Sequence, residues 1–327
     1  MTVFVTGDIH GGKDIHKLNT QNLRLKNKIK QDDYLIICGD FGLVFEQEES
    51  KEERYWLDWV DSKPWTTLFV DGNHENFDRL KTYPIQTKWD GKIQQISKKV
   101  YHLLRGEVYQ IEDQKIFAFG GAFSHDREYR IENETWWQEE LPSLEECENA
   151  IQNLKRHNNK VDIIVTHEAH RYFSQSLGYY QGGMKINGYN NDRINILDFF
   201  ERIFKIVTFK DWFCGHYHID QDFDSFHFLF QRILDTKEKE NAGSIYPEFQ
   251  VFDKVFFSMQ VGREPHIRGV IYYCYPYGTG KYRYGYSDYD ICCTEEEPFG
   301  KNVICKRVHE ECIRKGLRTN SWTEIGG

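Results

Sequence analysis

Short apolar runs rich in Val, Ile, Phe and Leu recur along the first 240 residues, and several end in glycine followed by polar side chains. "VFVTGD" at 3–8, "YLIICGD" at 34–40 and "TTLFVDGNH" at 66–74 have the length and β-branched content of buried strands. Between them apolar positions fall three and four residues apart. That spacing predicts helices from about Asp14 to Ile29 and over "EERYWLDWVDS", where Trp56, Trp59 and Val60 share a core-facing side. The opening is therefore βαβαβ.

From Lys92 to Ser124 the period changes to consecutive strands, "KIQQI", "VYHLLRGEVYQI" and "KIFAFGGAFS", separated by glycine and Glu-Asp-Gln turns. "SLEE" at Ser143 has the Ser-x-x-Glu spacing of a capping box and predicts a helix running to His157. A strand "VDIIVTHEAH", a helix "DRINILDFFERIF", the segment "DWFCGHYHID" and an alternating strand "SFHFLFQRIL" follow. This order predicts two packed sheets with helices outside.

The stretch between His170 and Asn191, rich in Gly, Tyr and Gln, is long for a connection in a compact domain and is a candidate lid or surface insert. The polar run "DTKEKENAGS", 235–244, reads as a linker between a domain over 1–234 and an accessory module over 245–327. Acidic and basic residues balance in 241–327, so the net charge of -9 belongs to the first 240 residues.

That charge argues against general affinity for nucleic acid, which rests on cations neutralising phosphates. No apolar run is long enough to cross a bilayer. The first residues lack a secretory leader, and Cys38, Cys147 and Cys214 lie singly in regular segments as buried thiols do; both point to the cytoplasm.

Polar residues at the ends of the predicted strands form an ordered series: Asp8 and His10 in "GDIH", Asp40 in "CGD", Asn73 and His74 in "GNHE", His167 in "VTHE", and His216 and His218 in "GHYH". In an α/β sheet the carboxyl ends of parallel strands open into one crevice, so these groups can converge. Carboxylates and imidazoles gathered in one place need a cation to neutralise and order them, and this donor set suits Mn, Fe, Zn or Ni better than Ca or Mg.

The series resembles the calcineurin-like metallophosphoesterases, whose motifs are DxH, GD, GNH(D/E), a His after a strand, and GHxH. The resemblance spans about residues 3 to 234. It implies a four-layer α/β/β/α sandwich, two divalent metal ions, manganese foremost, and hydrolysis of phosphate esters by in-line attack of a metal-bridging hydroxide. It implies that Asp8, His10 and His218 hold one ion, that Asn73, His167 and His216 hold the other, that Asp40 bridges, and that His74 is the general acid. The substrate class that follows is a phosphorylated small molecule: a phosphomonoester, a nucleotide or a phosphodiester.

One motif departs from the family's protein-phosphatase branch. The second motif there extends to GDxVDRG, whereas this chain reads "GDFGLVF", with Leu43 where an Asp would orient the catalytic histidine and no phosphate-binding Arg. His74 then needs another partner, for which Glu75, Glu168 or a carbonyl are candidates. His125 and Arg127 in "FGGAFSHDRE" are candidates to reach a bound phosphate, and the same segment also reads as a local turn. His170 is either a neighbour of the site or a solvent-facing side chain.

The C-terminal module carries eight tyrosines between Tyr272 and Tyr289, with Tyr282, Tyr284 and Tyr286 on one face of a predicted hairpin and Lys281 and Arg283 on the other. Such a face can cover a core or stack bases, so recruitment of nucleic acid or of a protein partner is the alternative function. Cys292, Cys293, Cys305, His309 and Cys312 are candidate zinc ligands without clean CxxC spacing, or reduced thiols.

Overall fold

The computed structural model describes residues 1–19, 29–176, 189–223 and 225–237, and beyond them the backbone of five strands. The chain divides into two compact units, Met1–Lys239 and Glu240–Gly327.

Among the described residues, thirteen strands of the first unit make two sheets. They are β1 (Val3–Thr6), β2 (Tyr34–Ile37), β3 (Thr66–Phe69), β4 (Ile85–Lys88), β5 (Gly91–Gln95), β6 (Val100–Leu103), β7 (Glu107–Ile111), β8 (Gln114–Phe119), β9 (Ile163–Thr166), β10 (Asp211–Cys214), β11 (Gln221–Phe223), β12 (Phe226–Phe228) and β13 (Ile233–Asp235). One sheet has the order β13-β1-β2-β3-β6-β5-β4, the other β11-β12-β10-β9-β8-β7. In the first, β1, β2, β3 and β6 run parallel; in the second, β8, β9, β10 and β12 do. All carboxyl ends within each parallel set therefore lie on one edge.

Alternation along the strands builds the layers. Val3, Val5, Ile36, Leu68 and Val70 of the first sheet meet Ile116, Ala118, Ile163, Val165 and Phe213 of the second in a dry core. The opposite face of the first sheet, with Phe4, Leu35, Ile37 and Phe69, packs against Leu57 and Val60 of helix α1 (Lys51–Asp61). Within α1 the fully buried apolar side chains are Leu57 and Val60. Trp56 and Trp59 are only partly buried, because they flank that face rather than lie on it.

Phe119 and Trp212 on the outer face of the second sheet receive Phe200 of helix α5 (Ile196–Ile206), after the short helices α2 (Phe77–Leu80) and α4 (Arg171–Ser176) and the longer α3 (Leu144–Arg156) in chain order. The result is the four-layer α/β/β/α sandwich. Ser50 with Glu53 and Ser143 with Glu146 close complete capping boxes at the starts of α1 and α3.

Three predicted elements are organised differently. "VYHLLRGEVYQI" is not one strand: Gly106, at φ 78, turns the chain between β6 and β7, which belong to different sheets. "SFHFLFQRIL" likewise splits into β12 in one sheet and β13 in the other. Asp235 and Thr236, placed in the linker by composition, belong to the first sheet: Asp235 is opposite Phe4, and Thr236 donates its N–H to Val3 O at 3.0 Å. Of the predicted first helix, the described part is a 3₁₀ turn at Ile15–Leu18; 20–28 lie outside the described residues, as do 177–188 of the candidate lid.

The second unit contains a five-stranded antiparallel sheet in the order Ile304–His309, Asp288–Cys293, Ile267–Cys274, Lys254–Phe257 and Ile313–Lys315. The hairpin tip with Tyr282, Tyr284 and Tyr286, and any cysteine ligation, lie outside the described residues and side chains. Among the described residues no helix is long and apolar enough to cross a membrane.

Candidate metal centre

The parallel strands end together, and their ends deliver the polar series. Asp8 and His10 follow β1, Asp40 follows β2, Asn73 and His74 follow β3, His167 follows β9, and His216 and His218 follow β10. His10, Asp40, His216 and His218 sit at positive φ (44°, 46°, 67° and 51°), a region that non-glycine residues rarely occupy and that concentrates at functional sites. Two motif glycines make room for ligands of other strands. A Cβ on Gly72 would lie 2.0 Å from Asp40 Oδ1, and one on Gly215 would lie 2.2 Å from Asp8 Oδ1.

Three groups of possible metal ligands have their donor atoms within 4.8 Å of one another: Asp8, His10 and His218; His10, Asp40 and His74; and Asp40, His167 and His216. Asp40 joins the groups, with Oδ2 3.3 Å from His10 Nε2 and Oδ1 3.3 Å from His167 Nε2. Asn73 Oδ1 lies 3.1 Å from the same His167 nitrogen, and His218 Nε2 lies 3.2 Å from Asp8 Oδ2. All seven sequence-predicted ligands are thus brought together, and His74 stands beside them with its ring 5.4 Å from that of His10.

Surrounding groups set the orientation and the charge of the candidate ligands. His167 Nδ1–H donates to Cys38 O at 2.7 Å and His10 Nδ1–H to Asp14 Oδ2 at 2.9 Å, which leaves each Nε2 directed into the site. Burial alone would raise the Asp40 carboxyl, but His167, His74 and His10 outweigh it and hold it well below the usual carboxylate range. Burial opposes a proton on His167, yet Asp40 and Asp8 push its pKa up to about 10. Burial, reinforced by His167, drives His216 well below the ordinary histidine range.

Among the described residues His216 Nε2 has no hydrogen-bond partner, and it is buried. A bare, neutral imidazole nitrogen grouped with Asp40 and His167 fits a cation, and ligation of that cation would displace the proton that His167 otherwise carries. Oxygen and imidazole donors together suit Mn, Fe, Zn or Ni.

The remaining candidates are placed as follows. The His125 ring stacks on that of His216, centroids 5.3 Å apart. Arg127 lies over the rings of Trp136 and Tyr189. The arginine that reaches His74 is Arg130, one short 3₁₀ turn later, with Nη2 3.1 Å from His74 Nε2 and Nε 2.7 Å from Asp126 Oδ1. Glu75 instead accepts from the N–H groups of Phe41 and Gly42, and Glu168 from Ala169 N and Tyr217 OH, so neither orients His74 through these bonds. His170 is neither at the site nor in solvent; it is buried with Phe173, Phe204, Trp212 and Phe226, and burial lowers its pKa to about 4.

Asp14, Arg130 and Lys17 carry no motif. Only the four-residue spacing from His10 to Asp14 could have suggested one of them. Lys17 Nζ donates to the carbonyls of Gly7 and Asp8 at 2.9 and 2.6 Å and to that of Phe230, tying the first ligand loop to the segment before β13.

A profile described as calcineurin-like phosphoesterase matches residues 1–220. The chain belongs to this family. The family is dinuclear-metal dependent, and the groups above are this chain's candidate ligands. Among solved structures, one from Staphylococcus aureus provisionally named a 5′-nucleotidase, crystallised with alpha-ketoglutarate, is similar at 13% identity and a TM-score of 0.36. The alignment covers 97% of this chain and 55% of that one, so this chain spans about half its length. No protein of curated function matches the chain.

Proposed function

We propose that this phosphoesterase hydrolyses small phosphate esters, whether monoesters, nucleotides or diesters, with Asp8, His10 and His218 holding one divalent ion and Asn73, His167 and His216 the other. Asp40 lies between the two groups and is assigned to both. The observation that carries this reading is the meeting of the two ligand groups at Asp40, whose oxygens are each 3.3 Å from an imidazole of a different group. Two ions held there would neutralise phosphoryl oxygens and acidify a water near neutral pH. Manganese is the metal we assign for assays.

His74 is assigned as the acid that protonates the leaving oxygen, and Arg130 as the cation that holds the phosphoryl group and His74 in register. A cleft of about 310 Å³ opens beside His10 and His74 and is walled by Leu43, Phe45 and Trp56. Its size supports one small organic group as the alcohol part of the ester. Buried free thiols at Cys38, Cys147 and Cys214 support residence in the cytoplasm.

The test is turnover of p-nitrophenyl phosphate and its bis ester by the manganese-loaded protein. Asp40→Asn and His218→Ala should each abolish it. Turnover that survives both substitutions would refute the dinuclear site.

A further inference from the structure

Asn73 is the neutral member of the ligand set, and a half-turn about its last side-chain bond would present an NH₂ group where an oxygen is needed. Only the oxygen can ligate a cation. Its orientation is fixed from behind: Asn73 Nδ2 donates to Ser124 Oγ at 3.2 Å, and Ser124 Oγ donates to Glu140 Oε2 at 2.6 Å. Because the Ser124 proton is committed to Glu140, Oγ can only accept from Asn73. That selects the NH₂ side and leaves Oδ1 facing His167 Nε2.

Glu140 is 1% exposed, and the donors to its carboxylate are neutral: Ser124 N at 3.1 Å, Ser124 Oγ and Tyr189 OH. Burying a carboxylate this deeply among neutral donors is unfavourable, and a purely structural contact in this layer would be met as well by an apolar or amide side chain. An acceptor that cannot donate is what the relay requires. A glutamine could turn its own NH₂ toward Ser124 and free the hydroxyl to point the other way.

We infer that Glu140 is a positioning residue for the metal centre, acting through Ser124 to lock the Asn73 amide with its oxygen toward the ion shared with His167 and His216. The relay joins the end of β3, the end of β8, the 3₁₀ turn Gln138–Glu140 and Tyr189, so it positions a ligand from outside the ligand-bearing strands. It rests on Asn73 being a metal ligand, as proposed above.

Calorimetric titration of Mn²⁺ into the metal-free full chain, paired with its thermal midpoint, tests it. The wild type should bind two ions. Ser124→Ala and Glu140→Gln should each weaken one binding step about tenfold or more and leave the other within about twofold, and Ser124→Thr should restore it. The metal-free Ser124→Ala protein should melt somewhat lower, because a buried amide and a buried carboxylate each lose a partner, but a loss confined to one binding step and restored by Ser124→Thr is what a merely structural role would not give. Two wild-type binding steps in both variants, or equal weakening of both steps, overturn the inference. A wild type that binds no ion overturns the dinuclear reading instead. If Glu140→Gln does not fold, Ser124→Ala decides alone.

Discussion

Arg130 Nη2 lies 3.1 Å from His74 Nε2, and because a guanidinium only donates, that imidazole nitrogen is an acceptor. His74 is thus neutral here with its proton on Nδ1. Burial lowers its pKa first, and the charges of Arg130, His10 and His167 add to this against Asp40. For the proposed acid role the ring would have to acquire a proton at Nε2, with the arginine turned to the phosphate instead.

Removing the cation should therefore raise the His74 pKa. In Arg130→Ala the His74 ring should titrate at higher pH than in the wild type, followed by NMR on the metal-free protein. Losing a donor to the phosphoryl group should also lower kcat/KM about a hundredfold. An unchanged titration together with unchanged kcat/KM would remove Arg130 from the site.

His74→Ala should keep both metal-binding steps, since the two ligand sets do not require it, but should slow substrates with poor leaving groups most. A leaving oxygen of high pKa depends on protonation, whereas p-nitrophenolate does not. Measuring kcat across aryl and alkyl esters should give a steeper dependence on leaving-group pKa in the variant. Parallel slopes in the two proteins would contradict an acid role.

Beneath the site Asp71 accepts from Arg105 Nε at 2.9 Å and pairs with His102 Nε2 at 3.1 Å, all three side chains buried. Burial opposes the charge, but Arg105 and His102 outweigh it and hold the Asp71 pKa at about 2, below the ordinary 3.8. The folded pKa is the depressed one. Its stabilisation is therefore present above about pH 4 and is lost as pH falls toward 2. Asp71→Ala should destabilise by about 3–5 kcal/mol at neutral pH by stranding a buried arginine, and the gap from wild type should narrow on acidification. Urea unfolding at pH 7 and pH 3 measures both.

The strands and their polar ends were readable because burial on both faces of a parallel sheet leaves continuous apolar runs, and Asp8, Asp40, Asn73, His167 and His216 all fall at the ends of such runs. Sheet membership was not. Periodicity is the same whichever sheet a strand joins, so the switch at Gly106 and the return of β13 to β1 left no mark in the pattern. Arg130, Ser124 and Glu140 were also hidden as a set, because they act through contacts across 16 to 57 residues of chain. Arg127 is equally basic and close by, and only the 3₁₀ turn decides which arginine faces His74.

The cleft beside His74 has exposed Glu46 and Glu52 on its rim and, among the described residues, Lys13 as the lysine or arginine in its wall. Extra phosphates on a substrate would meet like charge there. Nucleoside monophosphates should be turned over in preference to triphosphates, and the preference should fall about fivefold in Glu46→Gln/Glu52→Gln, the effect of about 1 kcal/mol of repulsion near the surface. Comparing kcat/KM for the two substrates in both proteins gives the answer. Equal loss on both substrates would point to folding rather than charge.

The boundary of the first unit can be tested by two truncations that differ only in β13. Ending the chain after Lys239 keeps Ile233–Asp235 paired with β1 and keeps Thr236 Oγ1 bonded to Val3 O at 3.0 Å and Gln114 Oε1 at 2.9 Å. Ending it after Arg232 strips an edge from the strand that leads into Asp8 and His10. The longer fragment should fold cooperatively and hydrolyse p-nitrophenyl phosphate. The shorter one should melt at lower temperature and bind manganese more weakly, because Asp8 sits two residues beyond a strand left paired on one side only, to β2. Equal melting and equal metal affinity would show that β13 does not hold the first ligand loop, and failure of the longer fragment to fold would make Glu240–Gly327 a required part of the enzyme.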